Sequence, residues 1–315
     1  MRPSYLLLAL AASAYSADTP RVTIRVEGDT RIIEANGIAN HATGKFPNRG
    51  NPNAISAQNY VFRMPAKPKA GTDFTTPQGS GMPTTWGVAV NGVPFDANTA
   101  EYWNNDRSSG WNLDLMAQQG KLGADESNAH VQPNGAYHYH ATPTGLVDAL
   151  GGDKGRVLLI GYAADGFPVY SANGHKDPKD ANSPVVALKS GYHLKKGTRP
   201  NGPGGAYDGA YTADWEWSKE QGDLDQANGR FEVTKEYPQG TYAYHITTTF
   251  PYIPRIFRGT PDATFKKRPG DGARGPGRPG QGGQRQGQGQ GRRERGPAMD
   301  GPPFDGPGGD LPPPR

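Results

Sequence analysis

One frame, Pro-x-Gly-x-Tyr-x-Tyr-His, occurs twice in this chain: once over Pro133, Gly135, Tyr137, Tyr139 and His140, and again over Pro238, Gly240, Tyr242, Tyr244 and His245. In each copy a proline and a glycine form a turn that launches a short strand. Successive side chains of a strand point to opposite faces, so the tyrosines share one face and the intervening positions the other. The chain has seven histidines, and four of them (His130, His138, His140 and His245) lie in or beside these two segments. That concentration points to one polar site competent to hold a metal.

A second echo accompanies the first. Val88-Ala89-Val90-Asn91-Gly92-Val93-Pro94-Phe95 resembles Tyr162-Ala163-Ala164-Asp165-Gly166-Phe167-Pro168-Val169. Each is a strand entering an Asn-Gly or Asp-Gly turn, dipeptides that tolerate the positive φ of tight hairpins. The order is turn motif, Tyr-His strand, turn motif, Tyr-His strand. A degenerate duplication packed as two halves of one sandwich leaves that order; convergent turn chemistry is the alternative.

Alternating residues predict strands over 22–26, 60–64, 86–90, 157–162, 242–247 and 253–257, the last at an edge because Pro251 and Pro254 flank or interrupt it. Helical periodicity is scarce, with two turns expected over 112–119 and over 213–220. Outside the last fifty residues 30 Gly and 20 Pro remain, which keeps connections long. The expected fold is all-β or β-rich α+β, sandwich-like with long loops.

Arg2, the apolar run 6–12 and the small residues after it read as an export signal over 1–17, with cleavage after Ala14 or Ala17. The apolar run is too short to span a bilayer, and no later segment is long enough. The expected layout is a signal peptide over 1–17, a β-rich domain over 18–265, and a disordered tail over 266–315. The tail holds 15 Gly and 10 Pro, with 10 Lys and Arg against 5 Asp and Glu, a net of +5. The whole chain is +4, so the rest is near −1 and the basicity belongs to the tail. Such an arm fits a solvated linker or a contact with an envelope or extracellular polymer better than nucleic acid. The absence of cysteine excludes disulfides, thiolate metal sites and cysteine nucleophiles.

His138 and His140, two apart on a strand, stand side by side, and His130 can fold back across Pro133 and Gly135 as a third ligand. His245 would be a fourth if the halves pack about a pseudo-twofold, although Ala243 matches His138 and makes the second half asymmetric. Imidazole sets suit zinc, copper, iron or nickel, and copper and zinc are the leading candidates. Asp125 and Glu126, just upstream, are candidates for an oxygen ligand or a general base. A half-buried sheet whose imidazoles bond to backbone is the plainer alternative. His41, His175 and His193 read as surface residues. Asp223–Gly229 has the acids of a calcium loop, but Ala227 and Asn228 occupy its fifth and sixth positions, so it reads as a turn. Asp165 reads as a turn former. The aromatics Trp103, Trp111, Tyr207, Tyr211, Trp215 and Trp217 read as loop packing rather than a sugar platform. No phosphate loop, Gly-x-Ser-x-Gly elbow or His-Glu-x-x-His helix is present.

The residues Tyr137-His138-Tyr139-His140 resemble the motif of the YHYH-domain family. The likeness extends to Gly87–Phe95, Asn128–Gly135, Ala164–Pro168, Gly205–Gly209, Gly222–Arg230, Gly240–Tyr242 and Phe250–Arg255, about residues 45–263 in all. It implies a secreted or envelope-associated bacterial protein and carries no biochemical activity. Relatives often have a cysteine in the segment matching Leu224–Arg230, where this chain has Gln226-Ala227, so a family disulfide is missing here. The position of His245 is not always histidine in the family, which leaves His130, His138 and His140 as the implied core. Three functions remain open: a metal-binding protein, a metal-dependent hydrolase of the envelope, and a metal-free envelope- or polysaccharide-binding module.

Overall fold

Alternation of branched and charged residues sets the first sheet in the computed structural model, which describes residues 19–76 and 85–267. The 1–17 signal, and the 266–315 tail from residue 268 onward, lie outside the described residues. Strands β1 (Val22–Glu27), β2 (Thr30–Ala35) and β3 (Tyr60–Pro65) form an antiparallel sheet in the order β1-β2-β3. Ile33, Phe62 and Met64 from it enter the same core cluster as Trp86, Val88, Phe95, Tyr139 and Tyr244. The three-stranded sheet is thus one layer over the main one, held there by burial of these β2 and β3 side chains, while Val22, Ile24 and Val26 of β1 stay exposed.

The main sheet begins with β4 (Gly87–Ala89), β5 (Pro94–Phe95), β6 (Ala129–Val131), β7 (Tyr137–Tyr139), β8 (Leu159–Ala163) and β9 (Pro168–Tyr170). Two separate pairs follow, β10 (Asn173–His175) with β11 (Val185–Ala187), and β12 (Tyr192–Leu194) with β13 (Trp215–Trp217). The main sheet is completed by β14 (Gly229–Glu232) and β15 (Thr241–His245), giving eight strands in the order β14-β15-β9-β8-β4-β5-β7-β6.

Divided between β8 and β4, this order gives the same sequence outward on both sides. One half runs β4, β5, β7, β6 and the other β8, β9, β15, β14. Pairings match throughout: antiparallel β4–β5 and β8–β9, parallel β5–β7 and β9–β15, antiparallel β7–β6 and β15–β14. The halves join through antiparallel β4–β8, with Val88 opposite Tyr162, so a local twofold passes through that pair. Val90 N–H donates to the Ile160 carbonyl and Ala164 N–H to the Trp86 carbonyl, both at 2.9 Å, and these bonds exchange under the twofold.

Details repeat as well. Asp125 Oδ1 accepts from the Ser127 and Ala129 amides, and Asp225 Oδ1 from those of Ala227 and Gly229. Asp125 also accepts from the Tyr137 hydroxyl, as Asp225 does from Tyr242. Asn128 and Asn228 share a left-handed φ of 55°, which asparagine tolerates better than most side chains. The degenerate duplication is therefore a feature of the fold, with Asp223–Gly229 serving as a turn.

Close approach at the join depends on two glycines. A Cβ on Gly87 would lie 2.6 Å from the Tyr162 carbonyl oxygen, and one on Gly161 would lie 2.5 Å from that of Val88. The frame glycines serve a different need, since Gly135 and Gly240 turn at φ of 86° and 78°.

Five of the six expected strands form; 253–257 does not. Ile253 and Phe257 are fully buried there, but Pro254 has no N–H for a ladder, and the segment touches a strand partner only through a bridge from Phe257 to Thr75. The expected helix over 213–220 contains β13, because the alternation Trp-Glu-Trp has a period of two. Over 112–119 only a 3-10 turn, Met116–Gln118, precedes the short helix α1 (Gln119–Leu122). The later helix α2 (Thr144–Ala149) and strand β2 were not expected from the sequence.

Gly161→Val is expected to lower stability by about 3 kcal/mol, since the added atoms collide with the Val88 carbonyl and with the fully buried Phe95 ring, each 2.5 Å from a Cβ at this position. Gly120→Ala in α1, where nothing lies within 4 Å, should match or slightly exceed the parent. Urea midpoints for the two variants measure the difference.

Candidate metal centre

Strands β6 and β7 pair with Ala129 opposite Tyr139 and His130 opposite His138. That register lays His130 and His138 side by side across the two strands. His140 follows one step beyond, its amide held by the Asn128 carbonyl at 2.9 Å. The turn over residues 132–136, closed by the Gly135 N–H donating to the Gln132 carbonyl at 2.8 Å and the Gln132 N–H to the Ala136 carbonyl at 3.0 Å, brings the chain back at this register. The tyrosines of the motif point the other way, Tyr139 to Asn91 and His41, and Tyr137 to Asp125.

The three imidazoles form a nearly equilateral group, with ring centroids 4.7 Å (His130–His138), 4.8 Å (His130–His140) and 4.7 Å (His138–His140) apart. Their candidate ligand atoms all lie within 4.8 Å of one another. Nε2 of His130 and Nε2 of His140 are 3.2 Å apart. Two metal–nitrogen bonds of 2.0–2.1 Å at a tetrahedral angle put their nitrogens about 3.3 Å apart, so this spacing already suits a shared ion.

Backbone carbonyls set the tautomers. Nδ1 of His130 lies 3.1 Å from the Leu122 carbonyl and Nδ1 of His138 lies 3.0 Å from that of Ala136. A carbonyl only accepts, so both neutral rings carry the proton on Nδ1 and keep a lone pair on Nε2. Burial lowers the pKa of all three rings, and pushes His138 and His140 well below the usual imidazole range. Neutral rings are the form that ligates.

Among the described residues no carboxylate joins this group. The Asp125 carboxylate is committed to the amides of Gly44, Ser127 and Ala129 and to the Tyr137 hydroxyl. Glu126 is exposed, and its carbonyl accepts from Thr144. Their place next to His130 in sequence reflects the turn they build. The carboxylates whose charge is felt at His130 are Glu101 and Asp96, which the sequence did not single out. Glu101 Oε2 is buried without a hydrogen-bond partner. Asp96 pairs with Lys267 and accepts from Gln132 Nε2 at 3.0 Å.

The structure does not bring His245 to the triad. β15 lies five strand spacings from β7 in the main sheet, about 24 Å of sheet width at the usual 4.8 Å per strand. Its Nε2 faces Glu232 Oε1 and its Nδ1 the Ser171 carbonyl, both at 2.9 Å. The twofold maps His130 to Arg230, His138 to Ala243 and His140 to His245. Glu232 also takes Arg230 at 2.7 Å, so this half holds a buried Arg–Glu–His cluster where the other holds three neutral rings. Burial alone would raise the Glu232 pKa, but the bonds from His245 and the charge of Arg230 bring it below the usual range. The signal was present in the sequence: aligning Asn128 with Asn228 pairs His130 with Arg230.

A family model described as YHYH protein matches residues 61–259, which spans both halves of the sheet. The chain belongs to the YHYH family. Comparison with curated proteins finds no match, and comparison with solved structures finds none either. The YHYH motif after which the family is named is β7 together with His140, and two of its four side chains supply two corners of the triad.

Protonating buried neutral rings favours the unfolded chain. Their folded pKa values are depressed, so their stabilisation is complete above the unfolded value of about 6.5 and is lost as pH falls from there towards the folded values. The unfolding free energy of the metal-free protein, from urea titrations, should decline between pH 7 and 5, by at most about 1.4 kcal/mol per pH unit for each ring. His138→Gln with His140→Gln should flatten the slope. In the other half, Glu232→Ala leaves Arg230 without its buried partner and should cost about 3–5 kcal/mol in the same assay.

Proposed function

We propose that this is an exported metal-binding protein in which His130, His138 and His140 hold one divalent transition ion, copper or zinc. The observation that carries the reading is three imidazoles, two buried and one half-buried, converging within 4.8 Å, with two tautomers preset by carbonyls and the pKa values lowered by burial. Carbonyls on the far nitrogens of metal-bound histidines orient the rings and raise their basicity. A core that only needed to fill this space would gain more from apolar side chains, since three clustered polar rings must each be desolvated.

Three protein ligands leave a fourth position open, where an ion supplies Lewis acidity, so a metal-dependent hydrolase remains within this reading. In that version neither Asp125 nor Glu126 serves as base, given the commitments of the first and the exposure of the second. A metal-free envelope or polysaccharide module is the competing reading.

The proposed layout is an export signal over 1–17, a β-rich domain over 18–265 and a basic arm over 266–315 that contacts an envelope or extracellular polymer. It rests on the apolar run behind Arg2 and on the Gly, Pro and Arg content of the tail. No helix among the described residues is long and apolar enough to cross a membrane.

Elemental analysis of the mature protein, purified without a metal-binding tag, tests the reading. One equivalent of copper or zinc per chain is expected. It should be lost in His138→Ala with His140→Ala and retained in His245→Gln. Protein with no stoichiometric metal, and with a melting temperature unmoved by added copper or zinc, would sink the proposal.

A further inference from the structure

A cavity of about 380 Å³ opens beside the triad. His138 forms part of its wall, with Gln58, Tyr60, Asp96, Gln132 and Lys267. Its volume falls in the range of small-molecule sites. The twofold gives this space a meaning that the first half alone does not.

In the second half the position after Arg230-Phe231 is Glu232, opposite Thr241; in the first half it is Gln132, whose backbone N–H donates to the carbonyl of Ala136, the residue matching Thr241. Glu232 is the anion of its half, holding Arg230 at 2.7 Å and His245 at 2.9 Å. Gln132 is neutral and faces the cavity, its amide turned to Asp96. One half therefore carries a built-in carboxylate against its cationic group, and the other carries a neutral side chain beside a cavity that reaches His138.

Charge argues the same way. Three neutral imidazoles leave a divalent ion with its full charge, and an uncompensated buried charge is costly. Asp96, the carboxylate in the cavity wall, is already paired with Lys267. Glu101 acts on His130 from outside the donor group. Lys267 adds a positive field that all three rings feel. With a divalent ion in place the charges of the ion and Lys267 exceed those of Asp96 and Glu101, and the balance favours an incoming anion.

We propose that this cavity binds a carboxylate-bearing small molecule, its carboxylate seated between His138 and Gln132, the neutral residue that stands where the other half of the sheet carries Glu232. The proposal rests on the metal reading above. Lys267 and the Gln132 side chain each bond to Asp96 through one N–H and have others to donate to the carboxylate, and the rest of the ligand lies along Gln58 and Tyr60.

Cobalt(II) loading, read by the visible absorption of the bound ion, provides the test, with acetate as the probe. The parent should take one cobalt, and acetate should change its spectrum with saturation. Gln132→Glu should bind cobalt at least tenfold more tightly and acetate at least tenfold more weakly, because its own carboxylate takes the place. Lys267→Ala should keep the cobalt and weaken acetate at least threefold, which decides the matter if Gln132→Glu does not fold. A parent that binds cobalt but ignores acetate overturns the proposal and leaves the metal reading standing. So does acetate affinity equal to the parent's in both variants. A parent that binds no cobalt overturns both.

Discussion

The antiparallel contact of β4 with β8 is the constraint on which the rest of the molecule depends. Gly87 and Gly161 let two backbones approach where any side chain would collide with a carbonyl. The halves then meet about Val88 and Tyr162 and share one sheet of eight strands. Each half carries its Tyr-His strand to a place two strands from the join, with a partner strand outside it. The triad is thus built at the edge of a large rigid sheet, with its rings two to a strand pair and one just beyond. Little backbone freedom would be lost in gathering the proposed ion there, a preorganisation that suits the metal reading.

The two halves solve one problem in different ways. Both place a buried polar group on the face opposite the motif tyrosines. In the second half Arg230, Glu232 and His245 satisfy one another with charge-assisted hydrogen bonds, and nothing further is required. In the first half His130, His138 and His140 have carbonyl partners on two rings and a single contact between Nε2 atoms. That contact needs one ring to donate and the other to accept, and it leaves the centre of the group short of ligands. Replacement of Arg230 by His130 and of Ala243 by His138 converts a closed ionic cluster into an open donor set.

Much of this was legible in the sequence, for reasons that differ by residue. The frame Pro-x-Gly-x-Tyr-x-Tyr-His and the Asn-Gly and Asp-Gly turns report local geometry, so the strands, the duplication and the pairing of His138 with His140 followed from spacing. His130 followed because the turn between it and His138 is short. The fate of His245 was not legible, since its distance from the triad is set by four intervening strands whose order no local pattern encodes. Asp125 shows a related limit: adjacency to a ligand suggested chemistry, whereas its four hydrogen bonds make it a turn builder. Asp96, Glu101 and Lys267 come from distant segments, and nothing in their own neighbourhoods marks them. The apolar run 253–257 was read as a strand because burial and alternation look alike when proline removes the ladder.

The neutralised cluster around Glu232 also bears on how the chain tolerates change. A sheet whose copies had both remained open would place two unsatisfied polar hollows in one core. Here one lobe acts as ballast, keeping its ionic knot shut irrespective of solutes, and the other is free to be occupied or vacated. The ionic knot of the one lobe holds without the hollow of the other being filled, so substitutions around the triad leave half of the core's polar pairings untouched.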